Sequence, residues 1–387
     1  MAIEFNELIQ VHNKEDYYYI IDLDSIRKAT RKLKSHWEYY FPELEVAYSY
    51  KSNNLSMVTK SMLFEGLSAE TVSLHEIKLA LDDGFTGECI YFDGPVKLNN
   101  EIEFAISKGI KIQCDNTLEV ERVILISNHI KVKPKISFRL STDYRSTGLS
   151  RFGMSRDEFH ESLLLLQENG LHLCGLHFHS GSNLTSHDYL IKALEYYSNE
   201  ISKVKDIIHF IDIGGGYPAS TANCDDVLVN NNYPKRVREA LLKQGIDINK
   251  VSVVIEPGRI LTEDYGYLIS GIASVKERND INIITISAPG TSVRSAQYHN
   301  NRFAFIIPQR EECIETSLAH VFGSNCYESD IIAINMSIPV DLSIDDKVII
   351  SSCGSYDIMN SSNWIRSKPK LIVISNGEFF HDNYRSA

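Results

Sequence analysis

Eight short apolar runs, rich in Val, Ile and Phe, recur along the first two thirds of the chain, each separated from the next by enough residues for a helix. They are Val46–Tyr50, Gly66–Val72, Cys89–Asp93, Ile110–Asp115, Lys135–Leu140, Gly175–His179, His209–Ile213 and Val251–Ile255. Continuous apolar runs of this length suit strands buried on both faces, and their alternation with helices predicts a closed parallel (β/α)8 barrel of the TIM type. Ahead of them, a strand Tyr17–Asp22 leads through Asp24 or Ser25 as an N-cap to a helix expected from about Ile26 to Tyr40, with basic residues on its outer face.

Beyond about Asp264 the texture changes. Tyr267–Val275, Ile281–Ser287, Arg302–Pro308, Asp330–Ile334, Asp346–Ser351 and Lys370–Ser375 are short, β-rich and split by Gly, Asn, Asp and Ser. They predict a second, antiparallel β domain of barrel or sandwich form. The expected organisation is residues 1–22 as a strand joining the β domain, 23–264 as the barrel and 265–387 as the β domain.

Barrel active sites are built just past the C-terminal ends of the strands. Chemically distinctive residues cluster there: Lys51, Ser73 with Glu76, Asp93-Gly94-Pro95, Arg139, His179-Ser180-Gly181-Ser182, Gly214-Gly215-Gly216 and Glu256-Pro257-Gly258-Arg259. A lysine at the end of a buried strand is either solvated at the start of a loop or desolvated toward the neutral, nucleophilic amine. The glycine triplet is a tight turn or a cradle whose amides point at an anion such as phosphate. Strand alternation puts His177 and His179 on one face; with no carboxylate at ligand spacing, a metal is not expected, and an imidazole lying flat on an aromatic cofactor is the alternative to a core residue. Glu256 pairs either with Arg259 or with another buried cation.

The formal charge of -12 argues against nucleic acid as a partner. No apolar run approaches a membrane span, and Met1–Glu7 lacks the basic-then-apolar order of a signal peptide, so a cytoplasmic enzyme is expected. Seven cysteines (Cys89, Cys114, Cys174, Cys224, Cys313, Cys326, Cys353) have no paired close spacing and fit neither a disulfide framework nor a zinc site. Most read as apolar fillers.

A strand-end amine, a phosphate cradle, a flat aromatic partner and a carboxylate for a ring nitrogen together describe pyridoxal 5'-phosphate on a barrel. The chain resembles the fold-type III pyridoxal-phosphate decarboxylases, closest to the diaminopimelate decarboxylase branch, from about Tyr18 to about Ile374. The resemblance is carried by Tyr48–Asn53, Val72–Glu76, Phe92–Lys97, Arg151–Met154, His177–Ser182, the GGG and EPGR runs, Gly323–Asp330 and Ser352–Arg366. It implies the two-domain fold of the alanine racemase type. It implies that Lys51 holds the cofactor covalently, His179 stacks on its ring and Glu256 keeps the ring nitrogen protonated. Ser182, Gly215, Gly216, Gly258 and Tyr356 then hold the phosphate, with Arg259 beside it. Cys326 of a partner chain returns a proton, which makes the enzyme a homodimer with shared active sites.

The stretch Gly290–Tyr298 resembles the diaminopimelate branch, so Arg259, Arg294, Tyr298, Glu328, Asp330 and Tyr356 are the expected substrate-binding residues. Two arginines favour a substrate with a distal carboxylate. One departure stands out. Where that branch carries an acid immediately after the cysteine to hold the distal amine, this chain has Tyr327, with Glu328 displaced by one and, in an extended segment, pointing the other way. The expected reaction is decarboxylation of meso-diaminopimelate to L-lysine. The alternatives are a decarboxylase of a siderophore or antibiotic intermediate, an ornithine, lysine or arginine decarboxylase, a racemase, or a relative that binds the cofactor without turnover.

Overall fold

The computed structural model describes residues 17–143, 150–184, 186, 188–220, 232–297, 303–304, 315–344 and 346–385. They form two compact units, residues 27–261 and residues 1–26 with 262–386. In the first, β2 (Leu44–Ser49), β3 (Ser68–Thr71), β4 (Ile90–Phe92), β5 (Lys111–Cys114), β6 (Lys135–Leu140), β7 (Leu173–Phe178), β8 (Phe210–Asp212) and β9 (Ser252–Ile255) close into a parallel barrel. Every neighbouring pair is parallel, and β9 returns to β2 through Leu44, Glu45 and Val46. The eight-stranded barrel expected from the apolar runs is therefore present: β6 coincides with its run, β2 and β7 begin two residues before theirs and end one residue short, and the other five are trimmed by one to three residues.

Ala47, Tyr91, Phe210 and Val254 meet as one buried cluster. Closure is aided by a fully buried ion pair beneath the loop after β4. Lys97 Nζ donates to Gly94 O (2.7 Å), Gln113 O (2.8 Å) and Glu119 Oε2 (3.0 Å). A buried ammonium is tolerated when all three of its donors are used, and here they pin the Asp93-Gly94-Pro95 loop to the barrel wall.

The helix expected from Ile26 starts earlier, at Leu23, and ends at Glu38. Its cap is neither Asp24 nor Ser25. Asp22, the last residue of β1 (Tyr18–Asp22), accepts from Ser25 N (3.0 Å) and Ser25 Oγ (2.6 Å). Asp24 instead accepts from Asn376 N (3.0 Å) and Gly377 N (3.2 Å), holding the turn between β16 (Lys370–Ser375) and β17 (Glu378–Asp382). Asn376 and Gly377 both have positive φ, 54° and 73°, the geometry in which Asn-Gly closes a hairpin.

The second unit is built on one sheet in the order β14 (Ile331–Pro339), β13 (Thr316–Phe322), β11 (Ile281–Ile286), β10 (Gly266–Arg278), β1, β16, β17. β15 (Lys347–Ile350) pairs with β10, and β12 (Phe303–Ala304) with β15. The sheet is mixed rather than wholly antiparallel, because β1–β16 and β11–β13 run parallel. Strands drawn from opposite ends of the chain are free of the hairpin constraint that forces neighbours to reverse. β13 and β17 had no counterpart among the expected strands. Tyr18 and Ile20 of β1 pack with Ile269, Ile349, Ile372 and Ile374 in one cluster, so the N-terminal strand lies inside this sheet.

Candidate active site

A cleft of about 540 Å³ opens at the C-terminal ends of the barrel strands, lined by Lys51, Asp93, Arg139, Arg151, His179 and Ser182 among others. Lys51 follows β2 directly. Its Nζ lies 2.7 Å from Glu70 Oε1 and 2.6 Å from Oε2. Glu70 is fully buried on β3, where Ser49 Oγ also donates to it at 2.5 Å. Burial pushes its carboxyl up to about 7, against the pull of the Lys51 ammonium, with Glu256 and Asp93 adding to the rise.

Deeper in the barrel the charges are arranged in pairs. Arg139 on β6 donates through Nη1 to both oxygens of Asp93 at 3.1 Å, and its Nε lies 3.8 Å from Asp115. Burial alone would raise Asp93, but Arg139 and then His177 outweigh it and hold the carboxyl well below its ordinary range. His177 is fully buried, with Nδ1 3.6 Å from Asp93 and Nε2 3.5 Å from Glu256, and neither ring nitrogen makes a hydrogen bond.

His179, at the cleft surface, has Nδ1 3.3 Å from the Gly215 amide, from which it accepts, and 3.9 Å from Glu256 Oε2. Burial, followed by the Arg139 charge, lowers this imidazole to about 4. It is therefore the neutral ring that an N–H acceptor must be. Sequence spacing offered no carboxylate beside the two histidines, but barrel closure brings Glu256 to them, with donor atoms of all three within 4.8 Å. The amide of Gly215 already occupies His179 Nδ1, leaving that ring only Nε2 for any ion.

The glycine run is dictated by close packing. A Cβ on Gly215 would stand 2.4 Å from Glu256 O, and one on Gly216 2.3 Å from Gly181 O, while Gly216 has φ +88°. Gly258 is equally tight, at 2.9 Å from Ser52 Cβ. Arg259 opens the short helix that follows β9. Glu256 lies against the histidines, 3.5 Å from His177 Nε2 and 3.9 Å from His179 Nδ1.

The remaining expected residues lie in the β unit. Cys326 and Glu328 are exposed on the loop between β13 and β14, and Arg294 is exposed on a short 3-10 turn. Ser295 ties that turn to the Tyr356 segment, donating through N and Oγ to Asp357 at 2.7 and 2.6 Å. Tyr356 itself has φ 61°, a strained conformation for a residue with a side chain. Tyr327 packs its ring against Trp364, with centroids 5.4 Å apart. Tyr298 lies outside the described residues.

Asp330 is 3% exposed, and its carboxylate accepts from Gly290 N (3.0 Å), Asn325 N (2.8 Å) and Asn325 Nδ2 (3.0 Å). These bonds tie the Cys326 loop to the segment after β11, so Asp330 shapes that loop. Sequence reading passed over Glu70 and Asp212. Both are acids on strands that the barrel pattern buries, a placement that costs free energy unless the acid has a partner, and that was the available signal.

These residues fit pyridoxal phosphate. Both oxygens of buried Glu256 lack a hydrogen-bond donor, Gly215 and Gly216 admit no Cβ, and both Glu256 and Gly215 adjoin His179, which lines the cleft together with Lys51. Fold and site together define a closed parallel barrel with a strand-end lysine at the mouth of its cleft. Residues 23–263 match the family described as pyridoxal-dependent decarboxylase, pyridoxal binding domain, and the chain belongs to that family of carboxy-lyases. The chain is 28% identical to a diaminopimelate decarboxylase of Helicobacter pylori, over 96% of this chain and 92% of the relative. It is 25% identical to one of Bacillus methanolicus, over 93% and 88%. The crystal structure of the Helicobacter pylori diaminopimelate decarboxylase complexed with L-lysine shares the fold with a TM-score of 0.86 and 24% identity, over 99% of this chain and 97% of that one. A lysine/ornithine decarboxylase of Vibrio vulnificus complexed with cadaverine gives 0.83 and 21%, over 97% of each chain.

Proposed function

We propose that this enzyme decarboxylates meso-diaminopimelate to L-lysine. The observation that carries the reading is the Lys51–Glu70 pair at the mouth of the barrel, in a chain whose curated relatives of near-equal length are diaminopimelate decarboxylases.

When bound, pyridoxal phosphate supplies an electron-withdrawing ring that stabilises the charge left on carbon as carbon dioxide departs. Lys51 holds the cofactor, and Glu70 takes up or releases a proton beside that amine near neutral pH. Neutral His179 offers a flat face. Glu256, held down to about 2 chiefly by His177 despite its burial, stays a carboxylate and keeps a proton on the ring nitrogen. Ser182, Gly215, Gly216, Gly258 and Tyr356 hold the phosphate. Arg259, Arg294 and Tyr298 receive the distal carboxylate. Cys326 from a second copy of the chain returns the proton to carbon, an assignment supported by its exposure while Cys114 and Cys353 are buried. The proposed form is a homodimer in the cytoplasm, where the five described cysteines, all unpaired, would stay reduced.

Carbon dioxide release from meso-diaminopimelate, lysine, ornithine, arginine and D-glutamate tests the reading. Activity is expected to be highest on meso-diaminopimelate, and a preference for ornithine would overturn it. Mixing inactive Lys51→Ala and Cys326→Ala preparations should restore turnover by exchange of subunits; failure to do so would remove the shared site. A second reading is favoured by one observation. Tyr327, packed on Trp364, stands where the diaminopimelate branch has an acid, and Glu328 is exposed beside it. A substrate with a distal carboxylate and no free distal amine suits that arrangement, and Tyr327→Glu would then raise turnover of meso-diaminopimelate.

A further inference from the structure

Beneath the cleft lies a second carboxyl group that the roles above do not use. Asp212 ends β8 and is fully buried. Its Oδ1 accepts from Gly214 N at 2.8 Å, and its Oδ2 from Gln113 Nε2 at 2.7 Å. Gly214 O in turn accepts from Glu256 N at 2.9 Å. One side chain therefore fixes the first residue of the glycine run, and that residue fixes the backbone of Glu256. The two features meant for opposite ends of the cofactor, the phosphate cradle and the ring-nitrogen carboxylate, are set by a single anchor.

The Asp212 carboxyl also interacts with the Glu256 carboxyl, since Asp212 pairs with Val254 across the neighbouring strands β8 and β9, two residues before Glu256. Neither oxygen of Glu256 receives a hydrogen bond from an N–H or hydroxyl donor, and His177 Nε2 stands off at 3.5 Å. Two carboxyl groups buried side by side cannot both remain ionised, so one holds a proton and donates it to the other. His177 and Arg139 draw the negative charge to Glu256. On the Asp212 side the Tyr91 and Tyr217 phenols are kept neutral by burial, and His177, which pairs with Asp212 across β7 and β8, sets its Nε2 3.5 Å from Glu256.

We infer that Asp212 is a positioning residue that carries a proton at neutral pH, donates it as a hydrogen bond to Glu256, and through Gly214 holds the glycine run in register with that carboxylate. The inference rests on the cofactor assignment of Glu256 and not on the identity of the amino-acid substrate. Burial first, and the Glu256 charge second, raise Asp212 well above the ordinary carboxylate range, in keeping with the geometry. Ionised Glu256 then presents one oxygen to the cleft and gives the other to Asp212.

An asparagine copies a neutral carboxylic acid. Its Oδ1 still accepts from Gly214 N and its Nδ2 donates to Glu256 once the Gln113 amide turns over to present Oε1, which has no hydrogen bond in the wild type, whereas leucine does neither. Pyridoxal phosphate titrated into cofactor-free Asp212→Leu, Asp212→Ala and Asp212→Asn, followed by absorbance of the bound cofactor, separates these roles. The leucine and alanine variants should bind about 100-fold more weakly, the equivalent of one or two lost hydrogen bonds to charged or backbone groups. Asparagine should restore affinity to within about fivefold of wild type. The infrared difference between wild type and Asp212→Asn at neutral pH should contain the carbonyl stretch of a protonated acid. If asparagine binds the cofactor as poorly as leucine while melting like wild type, or if the protonated stretch is absent, Asp212 acts as a charge and the inference fails. If leucine binds like wild type, the anchoring role fails. Loss of meso-diaminopimelate turnover in wild type, with these binding differences intact, would remove the substrate reading and leave this one standing.

Discussion

The barrel and the β unit carry their expected functional residues in opposite ways. In the barrel, Lys51 meets Glu70, Arg139 meets Asp93 and Asp212 interacts with Glu256, nearly all of them buried, each held by closure of the same eight strands. In the β unit, Cys326, Arg294 and Glu328 are exposed on loops, and burial is reserved for Asp330, the acid that shapes the loop beneath them. Burial fixes protonation states, which cofactor chemistry requires. Exposure leaves side chains adjustable, which suits the reading of a substrate. The contrast explains how the family's barrel can be retained while the residue after the cysteine, Tyr327 here, departs from the diaminopimelate pattern.

The contrast is broken most sharply by Gly215→Ala. The added Cβ meets Glu256 O at 2.4 Å and forces the cradle off the carboxylate, so pyridoxal phosphate affinity should fall about 100-fold by titration. Next is Glu70→Gln. Below pH 7 a protonated Glu70 resembles glutamine, while above it wild type has a carboxylate on the Lys51 ammonium. Rates of cofactor capture, trapped with borohydride, should coincide below about pH 7 and diverge about tenfold above it, with glutamine the faster.

His179 gives a stability test. Its imidazole is lowered from 6.5 to about 4 in the folded chain, so its neutral form contributes stability that is complete above pH 6.5 and lost as pH falls toward 4. Chemical denaturation of the cofactor-free protein should lose up to about 3 kcal/mol across that window, and His179→Phe should flatten the loss. The smallest effect belongs to the β unit. Gly377→Ala in the β16–β17 turn meets no atom within 4 Å, so only the left-handed backbone at φ +73° resists it. The cost should be about 1 kcal/mol by denaturant midpoint, with cofactor affinity unchanged.

Much of the barrel was legible because buried parallel strands must be continuous apolar runs, and a chain cannot hide eight of them. Strand ends marked Lys51, His179 and Glu256 for the same reason. Glu70 and Asp212 stood in the expected runs but attracted no role, since the partner that makes each acid tolerable, Lys51 for one and Glu256 for the other, comes from a different strand. The Asn376-Gly377 turn was a readable hairpin signal that went unused. The bonds of Asp330 to Gly290 and Asn325 were not legible, because spacing from Cys326 does not show which backbone amides a carboxylate will meet.

Amino-acid order alone determined the strand count of the barrel, the amine at the end of β2, the glycine run and the cysteine loop, because periodicity and backbone permissiveness are local properties. Only the tertiary structure decided which acid neutralises which base and which carboxyl group keeps its proton. Those outcomes depend on desolvation and on distances between strands far apart in the chain, and neither exists until the barrel closes.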